Sequence, residues 1–126
     1  MTLRFLGRVE DPESVQDALQ DLGWLPATTA SAGPSTAKLG ASILCVPVAG
    51  LDELAVAVAE ATTGQPPTEP YRGHLTLARA KRGVAIRDLA GVPFTAAWTV
   101  DQFSLVESET HPDGARYQVV AGYPLR

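Results

Sequence analysis

The sequence has a single cysteine, Cys45, so no disulfide can form within the chain, and its apolar neighbours Ile43, Leu44 and Val46 place it in a buried strand. Long apolar runs are missing too. The densest stretch, Ile43 to Val48, is cut by Pro47 and falls well short of the ~18 residues a membrane helix needs, so no membrane role is expected. The first residues, Met1 to Gly7, carry charge too early for a secretory leader, which leaves the cytoplasm as the expected location. Two histidines and one cysteine without close spacing make no zinc pattern, and the carboxylates form no calcium-loop or DxD-type cluster. No metal and no cofactor is expected. A GxSxG elbow and a glycine-rich phosphate loop are also absent, which removes the motifs of serine hydrolases and nucleoside triphosphatases.

What the chain does have is 126 residues, 45% of them hydrophobic and 19% charged, enough for one domain over 1–126. A formal net charge of −4 argues against a protein that coats nucleic acid through phosphate contacts. The distribution says more. Arg72, Arg79, Lys81, Arg82 and Arg87, half of the ten basic residues, fall in sixteen positions that contain no acid, a segment suited to an anion or to a solvated loop face.

Thr2 to Leu6 has the pattern of a strand, and Asp11 followed by Pro12 opens a helix to Leu22, closed by Gly23. Ala27 to Ser35 suggests a short strand, and Ser42 to Val48 a firmer one. A second helix follows Gly50, with Leu51, Leu54, Ala55 and Val58 at helical spacing, and stops at Gly64 and Pro66-Pro67. Strands are expected over His74 to Arg79, from Phe94 to Glu107 as one long or bent pair, and over Arg116 to Tyr123, with a helical piece near Ile86 to Leu89. Ser108 to Ala115 reads as the hairpin loop, with His111 a solvent-exposed loop residue. Trp24, Trp98 and Tyr117 read as core or cleft-wall aromatics. The order predicts an α+β domain with mostly antiparallel sheet.

Alternation along a strand places His74 and Thr76 on one face, about 6–7 Å apart, with Leu75 and Leu77 turned to the core. An imidazole there can exchange a proton near neutral pH, and a hydroxyl beside it can hydrogen-bond a phosphoryl oxygen. Arg79 is expected on the same face, where its guanidinium would neutralise phosphate charge. Taken alone, the pair fits a hydrogen-bonded structural role as well as a catalytic one.

The runs Thr2-Leu3-Arg4-Phe5-Leu6-Gly7 and His74-Leu75-Thr76-Leu77-Ala78-Arg79 together resemble the two HxTx motifs of the two-histidine phosphoesterase superfamily, specifically the bacterial RNA 2',3'-cyclic phosphodiesterases also called 2'-5' RNA ligases. Pro70-Tyr71-Arg72-Gly73, Phe103-Ser104-Leu105, Gly114-Ala115-Arg116-Tyr117 and Tyr123-Pro124-Leu125 extend the resemblance over nearly the whole chain. It implies a bilobal α+β fold with mostly antiparallel sheets flanking a central cleft, to which each HxTx strand contributes. It also implies a metal-independent reaction in which one histidine takes a proton from water and the other protonates the departing ribose oxygen, opening a cyclic phosphate to a 2'-phosphate. By that resemblance His74 is the proton acceptor, Thr2 and Thr76 hold non-bridging oxygens, and Arg4 and Arg79 are further charge partners. Tyr71, the aromatic adjacent to the motif, is expected as a base-stacking contact, and the resemblance implies RNA ends or small cyclic-phosphate nucleotides as substrates.

The departure lies at the start. The first motif's histidine would precede Met1, and the strand and helix that come before it in the family have no counterpart, so the chain is expected to be N-terminally truncated relative to the family. A non-catalytic RNA-end or nucleotide-binding relative is the alternative.

Overall fold

The computed structural model describes residues 1–81 and 86–126. Arg82, counted above in the basic run, lies outside the described residues. The elements in order are α1 (Pro12–Gln20), β1 (Thr28–Ala32), β2 (Ala37–Leu39), β3 (Ile43–Ala49), α2 (Asp52–Thr63), β4 (His74–Arg79), a single 3-10 turn (Arg87–Leu89), β5 (Ala96–Val100), β6 (Gln102–His111) and β7 (Gly114–Pro124). Among the described residues no helix is long and apolar enough to cross a membrane.

Local chemistry sets both helices. Asp11 caps α1 by accepting from the Ser14 amide at 3.3 Å, and Pro12 stands at the first helical position. That hydrogen-bonded carboxylate is held below the ordinary aspartate range, first by the Ser14 hydroxyl and then by the Ser14 amide. The regular helix ends at Gln20, two residues before the sequence suggests, because Leu22 and Gly23 bond to Leu19 and Gln20 in tighter i→i−3 turns. The last turn of α2 is closed by the Gly64 amide on the Glu60 carbonyl at 2.8 Å.

The strands form two sheets. Five of them run β2-β3-β1-β5 with β4 added on β3, and β6 and β7 make a separate antiparallel pair. β3 is the organising strand, since β1, β2 and β4 all pair with it antiparallel. Each sheet covers its own core. Ala30, Ala32, Val46, Val48 and Leu51 pack under the five-stranded sheet, while Leu19, Leu22, Leu25, Leu54, Val58, Phe103 and Tyr123 pack between the helices and the hairpin. Phe103 and Tyr123 stack there with ring centroids 5.1 Å apart. The two cores meet at α2, which gives Leu54 and Val58 to one and directly follows Leu51 of the other. This is the α+β, mostly antiparallel architecture expected from the sequence.

Several local expectations are corrected. Thr2 to Leu6 is not a strand: no ladder partner reaches it among the described residues, and Phe5, which an alternating strand would bury with Leu3, is 82% exposed. The final hairpin turns on Pro112 and Asp113 alone, with His111 opposite Gly114, so the loop read over Ser108 to Ala115 is mostly strand. His111 accordingly ends β6, half-buried and 3.2 Å from the Glu109 carboxylate, instead of lying in an exposed loop. Tyr117 and Trp24 stand out at 74% and 64% exposure, whereas Trp98 packs against the five-stranded sheet's core as expected. Tyr117 projects from a two-stranded ribbon with no layer over it, which sequence alternation alone cannot reveal.

Gly73 lets β4 approach β3. Its carbonyl accepts from the Val48 amide at 2.8 Å, and a Cβ at this position would overlap the Val48 carbonyl oxygen and press on the Tyr71 ring. Gly73→Ala is therefore expected to destabilise the protein by about 1–3 kcal/mol in urea denaturation. Gly23→Ala, whose Cβ would meet nothing nearer than 3.6 Å, is expected to change stability by no more than about 0.5 kcal/mol. Equal stability of the two variants would show that the close approach at residue 73 does not constrain the fold.

Candidate functional site

β4 occupies the residues expected of the second HxTx strand, His74–Arg79, and lies at the edge of the five-stranded sheet. Its register on β3 pairs Pro47 with His74, Val46 with Leu75, Cys45 with Thr76, Leu44 with Ala78 and Ile43 with Arg79. Cross-strand partners share a sheet face. His74 and Thr76 therefore lie on the side of Pro47 and Cys45, and Leu75 packs with Val46 into the core.

Leu77 has no partner in this register, and a bulge is centred there. The bulge corrects two expectations at once. Leu77 is 53% exposed instead of core-facing. On an unbroken strand residues 74, 76 and 78 would share a face and Arg79 would point away from them. With one extra residue in β4, Arg79 pairs with Ile43, which lies on the Cys45 and Pro47 side of β3, so it joins His74 and Thr76 because of the bulge and not because of simple alternation.

The imidazole of His74 is half-buried, with its Nδ1 2.8 Å from the backbone carbonyl of Arg72. A carbonyl can only accept, so Nδ1 carries the hydrogen and donates it. In the neutral ring Nε2 then holds the lone pair. The carbonyl fixes both the tautomer and the ring's direction. Such a ring can take a proton at Nε2, or give one from Nε2 when charged.

A shallow depression of about 360 Å³ opens on this side of the sheet beside His74. Ala37, Leu39, Cys45 and Pro47 give it an apolar floor, and Tyr71, Arg72 and Asp52 line its polar side, while Lys38, paired with Leu44, belongs to the opposite face of the sheet. The ion pairs among the described residues are His111 with Glu109 and Arg116 with Asp113, both at the far hairpin, and neither Arg72 nor Arg79 takes part in one. Arg72 belongs to the basic run read from sequence. Asp52 had no such signal, because only the start of α2 brings it here.

The other expected residues divide. Tyr71 is in the depression, but its hydroxyl donates to the backbone carbonyl of Thr2 at 2.9 Å instead of standing free. Burial, and next the Asp52 carboxylate, push that phenol above the ordinary tyrosine range, so it keeps its proton and its role as donor. Thr2 is thus tied to the second motif through its backbone while its side chain is exposed. Arg4 is exposed on the same extended segment, and no hydrogen bond or ion pair among the described residues brings its guanidinium to His74.

No family model and no curated protein sequence matches the chain. Solved structures do. TT0787 of Thermus thermophilus superimposes with a TM-score of 0.77 at 28% identity over 98% of this chain and 76% of its own length. E. coli LigT, solved in complex with 3'-AMP, superimposes with a TM-score of 0.67 at 24% identity over 98% of this chain and 74% of its own. Set beside the two HxTx-like runs and the two-sheet architecture, these matches agree with one superfamily. These matches support, for this chain, the fold of the two-histidine phosphoesterase and 2'-5' RNA ligase superfamily.

Proposed function

We propose that this site acts on cyclic-phosphate ends of RNA as a 2',3'-cyclic phosphodiesterase, with 2'-5' RNA ligation as a related activity on the same phosphate. The observation that carries this reading is the fixed His74 ring, whose Nε2 is a proton acceptor on the sheet face shared with Thr76 and Arg79. The 3'-AMP in the LigT structure adds support, being a ribonucleotide with its phosphate on the ribose. Arg72 and Arg79, which have no ion pair among the described residues, suit the same chemistry.

The reaction needs no metal. Neutral His74 takes a proton at Nε2 as water attacks phosphorus. The P–O3' bond breaks, and the departing 3'-oxygen takes a proton from an acid on the opposite side, leaving a 2'-phosphate. Thr76 donates to a non-bridging oxygen and Arg79 offsets the negative charge, with Thr2 and Arg4 as the first motif's contributions. In the family that acid is the first motif's histidine. Arg72 and Arg79, which could hold a phosphate without any proton transfer, also suit a second reading: a non-catalytic RNA-end or nucleotide binder on the same fold.

Hydrolysis of a 2',3'-cyclic nucleotide and calorimetric binding of 3'-AMP separate the two. For the enzyme, His74→Ala is expected to lower turnover on the order of 10²- to 10⁴-fold while binding weakens little. Unchanged turnover would remove His74 from the mechanism. For the binder, micromolar affinity without product is expected, surviving His74→Ala better than Arg79→Ala.

Arg79 also gives a prediction of its own. Arg79→Ala is expected to weaken 3'-AMP binding by about tenfold, as loss of a charge-assisted contact to phosphate does. Arg79→Lys, which keeps the charge but not the fork, should recover only part of it. Affinity unaffected by either change would place the phosphate away from the face that the Leu77 bulge assembles.

A further inference from the structure

The amino-terminal run is one of the two stretches on which the functional reading rests, yet no strand ladder among the described residues holds it. Contacts of Leu3 and of the Thr2 carbonyl tie it to the rest of the molecule. Leu3 packs against both cores, and the Thr2 carbonyl accepts the Tyr71 hydroxyl across 69 residues of chain. Tyr71 itself is well placed to bear on its surroundings. Its ring is half-buried against the core of Ala30, Val46, Val48 and Leu51, and its edge lies against Gly73, whose carbonyl is bonded to Val48. Three residues on is His74. A ring held this way, with its only polar atom already engaged, has little freedom to turn and stack on a base.

We propose that Tyr71 is a positioning residue, a strut whose hydroxyl sets the first motif's Thr2 at a fixed distance from the second motif's strand; the proposal rests on the functional reading above. The phenol grips the backbone of Thr2, which leaves that residue's own hydroxyl free for a phosphate oxygen. The path from Thr2 through Tyr71 and Gly73 to His74 consists of one hydrogen bond and a short length of chain locked to β3. Losing the hydroxyl therefore releases Thr2 without disturbing His74. Tyr71 would not contact substrate through its polar atom at all, which revises the stacking role that the sequence suggests.

Tyr71→Phe keeps the ring and removes only the donor, so it tests the strut without opening the core. Hydrogen–deuterium exchange of the 126-residue chain is expected to quicken at least about threefold in residues 2–6, with β3 and β4 unchanged. Equal exchange in the two proteins would overturn the strut. For the positioning role, 3'-AMP affinity is measured in a double-mutant cycle with Thr2→Val. Each single change is expected to weaken binding about three- to tenfold, the range of one hydrogen bond. In the Tyr71→Phe background Thr2→Val should add less than about twofold, since a released Thr2 no longer meets the phosphate. Losses that multiply would show that the two residues act independently, and would overturn the proposal. Absence of 3'-AMP binding by the unaltered chain would overturn the functional reading and the positioning role built on it. The exchange measurement decides the strut by itself in that case.

Discussion

The register of β4 on β3 is the constraint on which the site depends. Without side-chain volume at residue 73, the two strands can bond through the Gly73 carbonyl and the Val48 amide. That contact starts the ladder with His74 opposite Pro47. Thr76 then falls opposite Cys45, and the extra residue at Leu77 brings Arg79 round to the same side. A one-residue slip would send the imidazole into the core and Leu75 into solvent, so burial of Leu75 among Val46 and its neighbours holds the histidine outward as firmly as any polar contact does. The apolar side of the sheet thereby determines the chemistry of the other side. The Arg72 carbonyl completes the arrangement by selecting the Nδ1–H tautomer.

Much of this could be read from the sequence where the signal is local. Asp11 before Pro12 marks the start of α1, and the spacing of Leu51, Leu54 and Val58 marks the buried side of α2, since caps and periodicity are written within a few residues. The bounds of β4 were legible for the same reason. What escaped depends on distant partners. A bulge is a property of two strands, so nothing in His74 to Arg79 announces that Leu77 will be left unpaired. Thr2 to Leu6 has strand-like composition, but a strand exists only where another chain segment accepts its hydrogen bonds. The depression was legible only in part: His74 and Tyr71 could be picked out from sequence, Arg72 only as part of a charge run, and Asp52 not at all until α2 was set against β3.

The two sheets differ in how well they are covered, and this bears on the site. The five-stranded sheet has a closed core in which Val46 and Leu51 are almost entirely enclosed. The hairpin of β6 and β7 is buried only near its base, at Phe103 and Tyr123, while Val106, Tyr117, Val119 and Val120 stand exposed along its outer part. A two-stranded ribbon has little stability of its own in water. The hairpin therefore takes its rigidity from α1, α2 and the Phe103–Tyr123 stack, whereas the His74 face rests on the better-packed half. Under the proposed function, a proton-transfer group on the more rigid sheet fits the need for accurate geometry in an in-line displacement.

That contrast also explains why the single bond from the Tyr71 phenol to Thr2 carries weight. Fixing one residue's backbone costs roughly 1–2 kcal/mol, and a hydrogen bond returns a net ~0.5–1.5 kcal/mol. The Tyr71 bond can therefore hold the residue it touches and little more. Leu3, anchored in both cores, limits how far the segment can stray, but it does not set the direction of the chain on its own. Two attachments at successive residues define both a point and a direction. Leu3 supplies the point and the Tyr71 hydroxyl the direction, and beyond them Arg4 and Phe5 run out into solvent with no hydrogen bond among the described residues to orient them. The first motif is thus ordered where it meets the second motif and loosely held elsewhere, which confines its accurate geometry to Thr2.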